Sequence, residues 1–99
     1  MSQEDEYTYE DKLRREILFY LYKEACWGVH HCKIEELLHR IRVDSESPSK
    51  NAIKKQIRQL LNELLISRYK KLKNVYLNSS KKNEIEAEIQ DLIDDHFNI

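Results

Sequence analysis

Glycine and proline occur once each in this 99-residue chain and cysteine twice. Scarce glycine leaves few natural positions for turns at positive φ. Two cysteines are too few for a disulfide framework. No apolar run approaches the ~20 residues that a membrane span needs. The opening "MSQEDEYTYE" is acidic and polar, unlike the cationic-then-apolar plan of a secretory signal, so the expected location is the cytoplasm. The glycosylation-like "NSS" at 78–80 then carries no weight. Also missing are a Gly-rich phosphate loop, a nucleophile elbow, paired metal-ligand doublets and any carboxylate set apart from its neighbours. The expectation is a protein that is not an enzyme, with no cofactor and no evident small-molecule substrate.

What is present is charge. The chain is 35% charged and 40% hydrophobic, enough for one modest core. Such charge enrichment accompanies thermophily and equally suits a small helical domain with much surface. The formal net charge of −1 hides an uneven layout. Residues 1–11 carry five acids and no base, whereas 50–82 carry ten bases against Glu63 alone. Residues 83–99 carry six acids and no Lys or Arg. A basic third lies between acidic ends.

Periodicity supplies the elements. Thr8 is a helix cap with Asp11 completing a capping box. Leu13, Ile17, Leu18, Leu21 and Ala25 follow at helical spacing, with an end expected near Trp27-Gly28. After the extended "VHHC", Ile34, Leu37, Leu38 and Ile41 mark a short second helix. "VDSESPS" is a loop, with Ser47 as cap and Pro48 as first residue of a third helix over 48–63. Ile53, Ile57, Leu60, Leu61 and Leu64 form its apolar stripe. Residues 65–78, "LISRYKKLKNVYLN", read either as a hairpin turning at Lys73-Asn74 or as a continuation of that helix. The first choice gives a mainly α fold with a small β-hairpin, the second an all-α helical bundle. A C-terminal helix starts near Ser79 or Ser80, so the expected organisation is an acidic flexible segment 1–7, a domain over 8–78 and a helix over 79–99.

The order "EILFYLYKEACWG", "VHHC", "KIEELLHRIR", "VDSESPS", "SKNAIKKQIRQLLNEL", "LISRYKKLKNVYLN" resembles a winged helix-turn-helix domain across about two thirds of the chain. Leu64 stands where that family commonly has glycine. The resemblance implies a third helix lying in the DNA major groove and a hairpin wing beside it. Lys50, Lys54, Lys55 and Arg58 would then contact phosphates or guanine, and Asn51 and Gln59 would read adenine. Arg68, Lys70, Lys71 and Lys73 would follow the backbone. The expected function is a small transcriptional regulator that binds double-stranded DNA. The rival is an adaptor whose basic stripe docks an acidic protein partner.

Three further features have competing readings. Cys26, His30, His31 and Cys32 could gather a metal, but the spacing lacks separated doublets; a Cys26–Cys32 disulfide needs closely facing Cβ atoms, and half-buried thiols against the core fit better. Ile85, Ile89, Leu92, Ile93 and Phe97 form an apolar stripe near the C-terminus, read as a homodimer seam or as packing on the chain's own core. Tyrosines 7, 9, 20, 22, 69 and 76 are scattered, which suits packing better than base stacking.

Overall fold

The structure, a computed structural model, describes residues 7–69 and 73–97. Lys70 and Lys71 lie outside them, so their expected backbone contacts are not placed. The order is α1 (Tyr9–Lys23), β1 (Cys32–Lys33), α2 (Ile34–Arg40), α3 (Lys50–Asn62), β2 (Ile66–Tyr69) and β3 (Asn74–Leu77). A 3₁₀ turn (Ser79–Lys81), α4 (Lys82–Glu88) and α5 (Gln90–Phe97) complete it. Helices dominate, with one three-stranded antiparallel sheet in the order β1-β3-β2.

Local chemistry accounts for the starts. The Thr8 hydroxyl accepts the Asp11 N–H at 3.0 Å while the Asp11 carboxylate accepts the Thr8 N–H, the expected capping box. The start of α3 moves from its expected place. Ser49, not Ser47, accepts the Ala52 N–H at 3.1 Å, and Pro48 is buried ahead of the helix. Before it, Asp44 and Ser45 both take positive φ between paired Val43 and Glu46, as a type I′ turn requires.

The helix ends resolve the ambiguity at 65–78. Helix α3 stops in a Schellman motif: Leu65 N–H donates to the Leu60 carbonyl and Leu64 N–H to that of Leu61, both at 3.1 Å. The left-handed position, φ +65°, belongs to Leu64. Its carbonyl accepts the Asn78 side-chain amide at 2.6 Å, and the other end of that amide accepts the Ser67 hydroxyl. The chain therefore reverses without glycine, and β2 pairs with β3 from Ile66↔Leu77 to Tyr69↔Asn74. The long-helix alternative is corrected. Asn74 is a strand residue rather than part of the turn, and Leu64 is 60% exposed rather than in the apolar stripe.

Helix α1 ends the same way, earlier than expected. Ala25 adopts φ +57°, and Cys26 N–H donates to the Leu21 carbonyl at 2.9 Å. Ala25 is thus outside the helix instead of on its apolar face.

The core joins Leu13, Ile17, Leu18 and Leu21 of α1 to Leu37, Ile53 and Leu60 of the next two helices. Ile66, Val75 and Leu77 of the sheet close it, together with Ile85 and Ile89. Those last two are fully buried, and Leu92 and Ile93 pack partly against the same core. Of the five stripe residues, Ile85 and Ile89 thus pack on the chain's own core, Leu92 and Ile93 do so in part, and Phe97 is exposed. The physical reason is the docking of the C-terminal segment along α1. Arg14 clamps Glu63 and Glu88, Arg15 pairs with Asp91, and the Tyr22 hydroxyl donates to Glu86 at 2.9 Å. The expected single C-terminal helix is also two, broken at Ile89.

Candidate nucleic-acid interface

Helix α3 buries Ile53, Gln56, Ile57 and Leu60, spaced so that one face points inward. That registration turns Lys50, Asn51, Lys54, Lys55, Arg58 and Gln59 outward, and all six are exposed. The structure thus brings together the α3 residues that the sequence pointed to. Lys55 pairs with Glu10 at 3.2 Å. Among the described residues, Lys50, Lys54 and Arg58 have no ion pair.

A helix N-terminus carries roughly half a positive charge, which acids in the first turn offset. Helices α1, α2, α4 and α5 all have such acids: Glu10 and Asp11, Glu35 and Glu36, Glu84, and Asp91. Helix α3 has no acid there, and Lys50 instead adds charge of the same sign. The usual local rule is broken at one helix, and the breach makes its outer face strongly electropositive.

The hairpin extends this field. Arg68 on β2 and Lys73 beside β3 are exposed, and both line a cleft of about 670 Å³ between α2, α3 and the sheet. Lys33, Lys54 and Arg58 join them on its walls. The sequence reading passed over Lys33, because its place depends on β1 pairing outside β3, opposite β2. Its apolar lining is Ile34, Leu38 and Ile57, and its one acid is Glu35, which faces His39 at 3.3 Å.

Beside the cleft, the His31 ring stacks on Tyr69 with centroids 4.0 Å apart. His31 Nδ1 also accepts the Asn74 side-chain amide at 2.7 Å. The metal candidates do not assemble. Cys26 and Cys32 are joined as a disulfide, with Cα atoms 5.9 Å apart, which corrects the reading of them as thiols. Their sulfurs are spent on each other, and His30 is exposed. No group of three His, Cys, Asp or Glu that could hold a metal occurs among the described residues. No described helix is long and apolar enough to cross a membrane.

The chain matches no family model, no curated protein and no solved structure.

Proposed function

We propose that this protein binds double-stranded DNA through the outer face of α3, as a winged-helix transcriptional regulator. The observation that carries the reading is that face's uncompensated charge: Lys50, Lys54 and Arg58 are exposed, lack ion pairs among the described residues, and stand on a helix without acids in its first turn. Leaving the Lys50 cation in the first turn of α3 costs about 0.3–1 kcal/mol against the helix dipole, and a phosphate would turn that cost into attraction.

The order α1-β1-α2-α3-β2-β3, with its hairpin after the third helix, accords with the winged-helix resemblance. In this reading α3 enters the major groove. Lys50, Lys54, Lys55 and Arg58 meet phosphates or guanine, Asn51 and Gln59 face base edges, and Arg68 and Lys73 follow the flanking backbone. Glu10 on Lys55 is a weak exposed contact, and DNA phosphates would displace it.

The test is a mobility shift on generic duplex with Lys54→Glu plus Arg58→Glu. Binding should fall by about 1–3 kcal/mol per reversed contact, while the melting curve moves little because both side chains are exposed. A double variant that shifts duplex as well as the parent rules out α3 as the reader.

A further inference from the structure

The cleft beside α3 combines two surfaces that a duplex backbone has no use for together. One is a rim of five cations, Lys33, Lys54, Arg58, Arg68 and Lys73. The other is the apolar surface of the half-buried Ile34 and Leu38, backed by the buried Ile57. Among the described residues none of the five has an ion pair. Gathering like charges in a concave, partly dry place costs free energy that an anion relieves. Water against the apolar residues is a separate cost, relieved only by a ligand with an apolar body.

Size narrows the occupant. About 670 Å³ falls inside the range of small-molecule sites, roughly 300–1,000 Å³. A helix with side chains is ~10–12 Å wide and rises 5.4 Å per turn, so one turn fills on the order of 500 Å³. The cleft would take little more than one turn, too short for an acidic amphipathic helix to gain register. Inorganic phosphate would engage the rim and leave the apolar part wet. In a duplex the flat faces of the bases are stacked on one another and only their edges show in the grooves, so no ring is free to lie on the apolar part.

We propose that this cleft is a nucleotide site, taking a flat ring on Ile34 and Leu38 and a phosphate on Arg58, Arg68 and Lys73. That chemistry is shared by a free nucleoside monophosphate and by an unpaired nucleotide of a single strand. Lys54 and Arg58 also belong to the face assigned to duplex DNA, so an occupant here competes with part of that contact.

Calorimetric titration of the full chain tests the site with thymidine, inorganic phosphate, thymidine monophosphate, a thymidylate pentamer and an abasic pentamer of equal charge. The monophosphate should bind at least about tenfold tighter than thymidine or phosphate alone, or the pentamer tenfold tighter than its abasic counterpart. The first result identifies a free nucleotide and the second a strand. Lys33→Glu with Lys73→Glu, both exposed and outside the core, should remove the gain. Leu38→Ser should reduce the base-bearing ligand to the level of its base-free control.

If neither base-bearing ligand exceeds its control, the apolar surface is unused and the proposal is overturned. Tighter binding of an acidic amphipathic peptide than of any nucleotide overturns it too. Duplex binding by the unchanged protein is scored in the same preparation. Its persistence without nucleotide binding sinks this inference alone.

Discussion

Two carboxylates, Glu16 and Glu63, show how position sets the sign of a charge's effect. Glu63 sits just past the end of α3, where a negative charge opposes the helix dipole, but Arg14 holds both its oxygens at 2.6 and 2.8 Å. The hydrogen bonds from Arg14 keep its pKa below the ordinary value. Glu16, on α1, is half-buried, and burial pushes its pKa up, against the attraction of Arg15 and Lys23. Linkage then gives opposite pH dependences. The contribution of Glu63 is full above the unfolded value near ~4.3 and is lost as pH falls through its lower folded value. The penalty from Glu16 is absent below the unfolded value and grows as pH rises through its higher folded one. Glu63→Gln should therefore lower the melting temperature at pH 7 by a few degrees, consistent with less than about 1 kcal/mol for a half-exposed partner. Glu16→Gln should raise it at pH 7. Both differences should vanish in melts at the lowest pH where the fold survives. A Glu63→Gln protein as stable as the parent at pH 7 would show that the Arg14 clamp contributes nothing.

At the scale of elements, the unusual feature is that two helices end in left-handed residues that are not glycine. Ala25 and Leu64 carry φ of +57° and +65°. Each costs about 1–2 kcal/mol relative to a right-handed position, less what glycine would lose in chain entropy. Leu64→Gly should therefore stabilise by about 0.5–1 kcal/mol, read by denaturant midpoint at unchanged slope. The side chain it removes is 60% exposed, so little packing is lost. A destabilised Leu64→Gly variant would mean that the leucine is held there by a contact rather than tolerated.

This same residue explains what could be read in advance. The capping box at Thr8 and Asp11 rests on side chains within one turn, so composition reveals it. The basic face of α3 follows from 3.6-residue spacing alone. The end of α3 does not, because a leucine at positive φ is chosen by the Asn78 and Ser67 bonds from the far strand. Periodicity alone therefore leaves the hairpin open against a longer helix, the winged-helix resemblance favours the hairpin, and the tertiary bonds decide for it. For the C-terminal stripe, periodicity fixed which residues are apolar, and only the docking on α1 decides that Ile85 and Ile89 face inward. Lys33 and Arg68 meet in one cleft only through the β1-β3-β2 order, which no local pattern encodes.

For the whole molecule, charge is segregated rather than large. A net charge of −1 gives no general attraction to nucleic acid, so any binding has to come from the face where α3 and the hairpin concentrate cations. The acids of the C-terminal segment do not cover that face. Glu88 and Asp91 are engaged with Arg14 and Arg15, and Glu84 and Glu86 with Lys81 and Lys82. Among the described residues the domain thus has a side whose charges are paired and a side where Lys50, Lys54, Arg58, Arg68 and Lys73 have no ion pair, and the proposed function puts the polyanion on the second.

The affinity for generic duplex DNA at about 50 and 200 mM salt tests this most directly. With Lys50, Lys54, Lys55, Arg58, Arg68 and Lys73 supplying roughly three to six phosphate contacts, log affinity should fall against log salt with a slope near −3 to −5. That is a loss of about 60- to 1,000-fold across the two conditions. No binding at the lower salt, or binding equally tight at both, would contradict the account.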